Sequence, residues 1–125
     1  MTEPRPRLHL WGVSTSRTLR AVWALHELSL DYEAHPIQPR TGETKTDEFT
    51  LINPRQKIPV LQDGDFTIAE SPAIIAYLSD TYGTDDNTLV PRDAKQRATW
   101  LEWCFHIAME LDATSLYVMR RHRDL

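Results

Sequence analysis

Three hydroxyl side chains, Ser14, Thr15 and Ser16, follow the first apolar segment of this chain. That segment, residues 8–13 (LHLWGV), predicts a short buried strand. Apolar residues then recur at helical spacing from Leu19 onward, so the hydroxyls lie at the start of a predicted helix. Hydroxyl groups and free amides at the amino terminus of a helix can stabilise an anion. A simpler interpretation, in which Ser16 only caps the helix, fits the same residues.

A second polar pair, Glu70-Ser71, precedes Pro72 at the predicted start of another helix. A serine followed by a proline is typical of a helix amino terminus, with the serine as the N-cap. A carboxylate can bind an ammonium group, while a hydroxyl and free helix amides can bind a carboxylate. The pair therefore suits the amino-acid end of a ligand, although a capping Ser71 beside an exposed Glu70 explains the residues equally well.

Short strands and helices position these residues. Asp63-Gly64 predicts a tight turn between two antiparallel strands, and Gly83 ends the helix that begins at Ser71. The predicted order is β-α-β-α-β-β-α over residues 8–83, an α/β fold (an α+β mixed sheet) with helices on its faces. The other predicted elements are strands over 31–37, 58–62 and 65–68 and a helical turn over 48–52.

The chain changes character after this region. Residues 84–91 are polar and turn-rich, which predicts a linker. Residues 92–125 predict one long helix to about His122, because neither glycine nor proline interrupts the segment from Asp93 onward. The helix has two apolar faces and so needs partners on both sides. Those faces carry Trp100, Trp103, Ile107, Leu111 and Val118, with Leu101, Phe105 and Ala108 beside them.

Composition excludes several classes of protein. The net charge is −4 and no long basic run occurs, which argues against a nucleic-acid partner. No apolar stretch approaches the roughly 18–20 residues of a membrane span, and the first seven residues lack the apolar core of a signal peptide, so we expect a cytoplasmic protein with no membrane partner. The single cysteine, Cys104, is interpreted as a buried small apolar residue. The five histidines lack ligand spacing of the HxxxH type, which predicts no metal.

Three segments in the middle of the chain have a specific pattern of residues. They are residues 53–61 (NPRQKIPVL), 63–71 (DGDFTIAES) and 74–78 (IIAYL). They combine an NPxxKxPxL segment, a hairpin, a Glu-Ser pair and the helix that follows, and this combination resembles the glutathione-binding half of the cytosolic glutathione transferases. The resemblance implies a thioredoxin-like domain over residues 8–83, a linker over 84–91 and, over 92–125, the first long helix of the family's all-helical second domain.

The resemblance also implies glutathione as the co-substrate, with its thiol held as the attacking thiolate. Ser16 and Arg20 reproduce the S-x-x-x-R spacing of serine-dependent, theta-like classes, which makes Ser16 the implied catalytic hydroxyl. Ser14 and Thr15 are alternates, one or two residues away. The absence of a cysteine or tyrosine near this position disfavours the classes that depend on those residues.

The remaining glutathione contacts follow from the same resemblance. Glu70 and Ser71 are implied to hold the γ-glutamyl end. Ile58-Pro59 matches the family's cis-proline step, where the backbone of Ile58 pairs with the ligand like an added strand. Lys57 or Lys45, the latter beside Thr44, would meet the glycyl carboxylate.

The implied activity is conjugation of glutathione to a small hydrophobic electrophile, as in detoxification, by a homodimer. A binding or regulatory module that keeps the fold without transferase activity is the alternative, and retention on a glutathione resin distinguishes the two. Most of the four tryptophans are interpreted as core. The residues predicted to line the electrophile pocket are Trp11, Val13, Trp103, His106, Ile107 and Glu110.

Overall fold

The computed structural model describes residues 6–123 of the chain. These residues form two compact units, whose boundary in the sequence lies between Leu89 and Val90. The elements of the first unit are β1 (Leu8–Trp11), α1 (Ser16–Glu27), β2 (Tyr32–His35), a 3-10 helix (Glu43–Lys45), α2 (Asp47–Ile52), β3 (Val60–Asp63), β4 (Phe66–Ala69) and α3 (Ser71–Tyr82).

The strands of the first unit form one mixed sheet in the order β2-β1-β3-β4. The pair β1–β2 is parallel and is connected by α1, whereas β3 is antiparallel to both of its neighbours. The predicted order of elements and the mixed sheet are confirmed. The strands predicted over 8–13 and 31–37 are shorter than expected. The first stops before Gly12, which has φ +123°, and the second before Pro36, which has no amide hydrogen to donate.

The core of the first unit lies between the sheet and the helices α1 and α3. Leu8 and Leu10 alternate toward it along β1, so His9 and Trp11 lie on the opposite face of the sheet. Burial of each large aliphatic side chain here contributes about 1.5–3 kcal/mol. The buried residues of this cluster are Leu8, Leu10, Ala21, Ala24, Leu25, Leu28, Leu61, Ile74 and Leu78.

Both predicted N-caps are displaced by one residue. Thr15, not Ser16, caps α1: its Oγ1 accepts a hydrogen bond from the amide of Thr18 at 2.9 Å, and Ser16 is already helical. Glu70, not Ser71, occupies the N-cap position of α3, where it has φ +72° and makes no capping hydrogen bond with its side chain. The chain turns from β4 into the helix at Glu70, so Ser71 is the first helical residue.

The hairpin turn is also displaced by one residue from the prediction. Asp63 pairs with Phe66 as the last residue of β3, so the turn consists of Gly64 and Asp65. Gly64 supplies the positive φ, +62°, that such a turn requires. Asp63 belongs to the strand because its carboxylate is buried and hydrogen-bonded, whereas Asp65 is exposed.

The buried carboxylate of Asp63 joins the hairpin to α3. It accepts hydrogen bonds from the phenols of Tyr77 and Tyr82, each at 2.6 Å, and pairs with the guanidinium of Arg7. Burial alone would raise the pKa of Asp63, but the three donors outweigh it and hold this pKa below its ordinary value. Burial and the hydrogen bond to Asp63 raise the pKa of Tyr82 to about 12.

The second unit is a single run of helix with a widened middle. It consists of α4 (Ala94–Phe105), a π-helical segment (His106–Leu116) and α5 (Tyr117–Arg123), and Asp93 caps its start by accepting from the amide of Gln96. The prediction of one regular helix is therefore wrong over the middle segment. In that segment the hydroxyl of Thr114 donates to the carbonyls of Met109 and Glu110.

Large apolar side chains of the second unit are exposed. This agrees with the expectation that its helix has two apolar faces. Two tryptophans contradict the interpretation as core: Trp103 is 59% exposed, and Trp23 on α1 is 63% exposed with its indole nitrogen donating to Glu27. Cys104 is half-buried rather than buried. Within residues 6–123, no helix has the length and apolar composition that a bilayer crossing requires. The exposed apolar residues of this unit are Leu101, Trp103, Phe105, Ile107, Met109, Leu111, Leu116, Val118 and Met119.

Candidate functional site

Strand pairing places three predicted site segments at one edge of the sheet. Trp11 pairs with Val60, and Val60 pairs in turn with Ala69. The residues that follow Trp11 and Ala69, and the residue that precedes Val60, therefore lie side by side at this edge. They are Gly12, Pro59 and Glu70.

Close contact between Gly12 and Ile58 joins two of these segments. A Cβ atom added to Gly12 would lie only 2.8 Å from the Cβ of Ile58, and the φ of Gly12 is +123°. Only glycine fits both requirements. The loop that carries the three hydroxyls therefore begins directly against Ile58. The Ile58–Pro59 peptide bond is cis, as the resemblance implied.

The three hydroxyls of this loop have different surroundings. Thr15 Oγ1 accepts from the amide of Thr18 and lies 2.7 Å from Thr18 Oγ1, to which it donates. Its proton and its capping lone pair are thus both engaged. Ser14 and Ser16 are exposed, and Ser14 has a φ of +61°, a strained conformation for a residue with a side chain. The structure therefore separates Thr15 from the other two candidates.

Arg20 connects the start of α3 to α1. Its Nη1 atom lies 3.4 Å from the Oγ of Ser71, which is 3% exposed, while Glu70 beside it is exposed. Because Arg20 follows Ser16 by four residues, the two side chains share one face of α1, about one turn apart. The sequence spacing of Ser16 and Arg20 did not indicate this contact with Ser71.

Asn53 organises the segment that leads to Ile58. Its side-chain amide donates to the carbonyl of Lys57 at 2.9 Å, and its Oδ1 accepts from the amide of Arg55 at 3.1 Å. The buried side chain of Asn53 therefore fixes the conformation of the loop between α2 and Ile58. The ammonium-bearing side chain of Lys57 is exposed at the end of this loop.

Residues 6–80 match the family model described as the glutathione S-transferase N-terminal domain. The chain belongs to the glutathione S-transferase family. Glutathione S-transferase 2 of Anopheles gambiae is 46% identical over 92 residues, which cover 72% of this chain and 42% of that protein. Glutathione S-transferase theta-1 of Rattus norvegicus is 34% identical over 100 residues, which cover 77% of this chain and 41% of that protein.

A solved structure is similar over most of the chain. It is the crystal structure of a glutathione transferase homolog from Drosophila mojavensis with bound glutathione, at a TM-score of 0.86 and 30% identity. The similarity covers 91% of this chain and 52% of that one. The chain spans about two fifths of the length of the curated relatives it matches.

In this member of the glutathione S-transferase family, the side chain of Trp11 packs on the face of the sheet that is opposite the core. Its ring stacks on that of His35, with centroids 3.9 Å apart and planes 7° from parallel, and its Nε1 donates to Gln62 at 2.7 Å. The ring of Phe49 lies 6.0 Å away, tilted. Burial lowers the pKa of His35, and the neighbouring His9 adds to that effect. One face of the indole is thus occupied by a protein ring.

The other residues predicted for the electrophile pocket fall into two groups. Val13 is half-buried in the loop after β1, in the first unit. Trp103, His106, Ile107 and Glu110 are exposed at helical spacing in the second unit, where His106 Nδ1 lies 3.3 Å from Glu110 Oε2. A pocket that they share with Trp11 and Val13 stays a prediction.

Lys45 ends the 3-10 helix with its side chain exposed, and its amide donates to the carbonyl of Gly42. Thr44 beside it is half-buried. Their contact with the glycyl end of glutathione also stays a prediction.

Proposed function

We propose that this chain binds glutathione at the sheet edge formed by Gly12, Pro59 and Glu70, and that it stabilises the thiolate of the ligand. The observation that carries the proposal is the register of three strands, which places the hydroxyl loop, the Ile58–Pro59 step and the Glu70-Ser71 pair side by side. The glutathione bound to the similar Drosophila mojavensis protein supports glutathione as the ligand.

The two ends of glutathione call for different partners. Glu70 binds the ammonium group of the γ-glutamyl end, while Ser71 and the free amides at the start of α3 bind its carboxylate. Arg20, beside Ser71, adds a positive charge near that carboxylate. The backbone of Ile58, which lies just before the first residues of β3, pairs with the cysteinyl part, and Lys57 or Lys45 meets the glycyl carboxylate.

The thiol is met by Ser16, with Ser14 as the alternate. A hydrogen bond to a charged group contributes about 1.5–3 kcal/mol, and one pKa unit corresponds to about 1.4 kcal/mol. One serine hydroxyl therefore lowers the thiol pKa of bound glutathione by about one to two units. The amino terminus of α1 favours the thiolate further. Thr15 is set aside because it is half-buried and its hydroxyl caps α1, whereas Ser14 and Ser16 are exposed.

The complete reaction is conjugation of the thiolate to a small hydrophobic electrophile. The 34% identity with theta-1 of Rattus norvegicus supports a theta-like assignment. The serine-dependent part of the proposal rests on the spacing of Ser16 and Arg20. Detoxification, a homodimer and a cytoplasmic location are the accompanying proposals from the resemblance.

Titration of the bound thiol tests this function. The ultraviolet absorbance of the thiolate is followed against pH for the unsubstituted chain and for Ser16→Ala and Ser14→Ala, each saturated with glutathione. We expect Ser16→Ala to raise the thiol pKa by about one to two units, while Ser14→Ala leaves it unchanged. The reverse pattern would transfer the role to Ser14. If the unsubstituted chain fails to bind glutathione, the proposal is wrong, and binding without a lowered thiol pKa favours the non-catalytic module.

A further inference from the structure

Three side chains with metal-binding groups meet on the face of the sheet that is opposite the core. His9 on β1 is paired with Glu33 across the parallel β1–β2 ladder, and His35 follows Glu33 by two residues on the same face. His9 Nδ1 lies 2.9 Å from His35 Nε2 and 3.6 Å from Glu33 Oε2. One ligand atom from each side chain lies within 4.8 Å of the others, and all three residues are half-buried.

We propose that His9, Glu33 and His35 bind one divalent transition-metal ion of borderline softness, such as Zn²⁺ or Co²⁺. Two imidazole nitrogens and one carboxylate oxygen are a common ligand set for such ions, and three protein ligands leave a coordination position for water. The site remains accessible, because the side chains of His9 and Glu33 are 30% and 41% exposed.

Two of the three distances between ligand atoms suit a tetrahedral ion, and the third, between Glu33 and His35, is below 4.8 Å. Ligand bonds of about 2.0–2.1 Å place neighbouring ligand atoms about 3.3–3.4 Å apart in a tetrahedron. The two measured distances from His9 Nδ1, 2.9 and 3.6 Å, lie on either side of that value. The two imidazole nitrogens therefore need to separate by only about 0.4 Å.

Without an ion, the two nitrogens share a hydrogen bond in which one ring donates to the other. Ion binding replaces this hydrogen bond. The ring that donated carries its proton on its other nitrogen when the ion is bound, because a coordinating imidazole nitrogen needs its lone pair. Both lone pairs then turn toward the ion.

Neighbouring residues hold one of the two rings in place. His35 stacks on Trp11, and the indole of Trp11 is fixed by its hydrogen bond to Gln62. Groups that orient a ligand in this way raise metal affinity. We expect the more exposed ring of His9 to make the adjustment. The sequence predicted no metal because the histidines lack the spacing that brings two ligands together on one helix. His9 and His35 instead come together because β1 and β2 pair in parallel register.

Cobalt titration of the chain, purified without a histidine tag and treated with a chelator, tests the site. We expect one Co²⁺ per chain with the visible absorption of tetrahedral coordination, and displacement of Co²⁺ by Zn²⁺. His9→Ala and Glu33→Gln should each weaken binding by at least about tenfold. The matched control is His106→Ala, which removes the imidazole of the exposed His106–Glu110 pair and should leave cobalt binding unchanged.

Glu33→Gln keeps the shape of the side chain, so it separates the loss of a ligand from a loss of fold. Circular dichroism in chelator checks that each variant is folded. The proposal is overturned if the unsubstituted chain takes up no Co²⁺, if folded Glu33→Gln binds as tightly as the unsubstituted chain, or if His106→Ala weakens binding as much as His9→Ala. Glutathione binding does not depend on any of these outcomes.

Discussion

Gly12 lies so close to Ile58 that a Cβ atom at position 12 would come within 2.8 Å of the Cβ of Ile58. This contact joins the end of β1 to the segment before β3, at the edge where glutathione is proposed to bind. The φ of +123° at Gly12 comes directly after the last residue of β1, where the chain leaves the strand and leads into α1.

Gly12→Ala should therefore lower the free energy of unfolding by about 2–4 kcal/mol, because an added methyl group causes both overpacking and backbone strain. Gly42→Ala is the matched control: Gly42 also has a positive φ, +92°, but a Cβ atom there would meet nothing within 4 Å. Gly42→Ala should lower the free energy of unfolding by only about 1 kcal/mol. Urea unfolding measures both values, and equal losses would contradict a steric role for Ile58.

Acid should weaken the link between the hairpin and α3. The folded-state pKa of Asp63 is lowered, so its contribution to stability is complete above the unfolded-state pKa, about 3.9, and is lost as the pH falls through the folded-state value. Asp63→Asn should cost about 1.5–3 kcal/mol at neutral pH and flatten this acid dependence. Urea unfolding at several pH values measures it. Asp65→Asn, at an exposed position of the same hairpin, should retain the acid dependence.

Alkaline pH should also weaken the cluster around Asp63, because it removes the phenol proton that Tyr82 donates to Asp63. The folded-state pKa of Tyr82 is raised to about 12, against about 10 in the unfolded chain, so its contribution is complete below about 10 and is lost as the pH rises through about 12. Absorbance of tyrosinate should show a late step, to which Tyr77 also contributes because its hydrogen bond to Asp63 raises its pKa. Tyr82→Phe should lower the amplitude of this step by one tyrosine. Tyr32→Phe leaves the Asp63 cluster intact and should keep this step. A late step of unchanged amplitude in Tyr82→Phe would disprove the assignment.

Glu70→Gln should weaken glutathione binding by about tenfold or more, because it removes the charge proposed to bind the γ-glutamyl ammonium group. The substitution keeps the shape of the side chain, and Glu70 is exposed, so the fold should be little affected. Calorimetric titration with glutathione measures the change. Glu102→Gln, at an exposed position on α4, serves as the control. Unchanged affinity in Glu70→Gln would refute the proposed contact.

Local sequence signals predicted the elements well and their ends less well. The mixed sheet and the order β-α-β-α-β-β-α followed from short apolar runs and turn residues. The first residues of α1 and α3 were not predicted correctly. At the start of α1, Thr15 and Ser16 are both good caps, and only their backbone angles distinguish them. Asp63 was assigned to a turn on composition, but its buried hydrogen bonds keep it in the strand.

Residues that act across long distances in sequence were the hardest to predict. Arg20 and Ser71 are 51 residues apart, and His9 and His35 are 26 apart. Periodicity describes neighbours within one element, so it contains no information about which faces of separate elements meet. The exposure of Trp23 was missed for the same reason. Helical spacing places Trp23 near the apolar face of α1 but does not show how much of that face other elements cover.

By itself, the sequence determined the order of strands and helices and which segments resemble the glutathione transferases, because both depend on patterns along the chain. Tertiary structure alone decided that Gly12, Pro59 and Glu70 share one edge of the sheet, and that His9 meets His35. Strand register sets these neighbours, and a shift of one residue would turn the side chains to the opposite face.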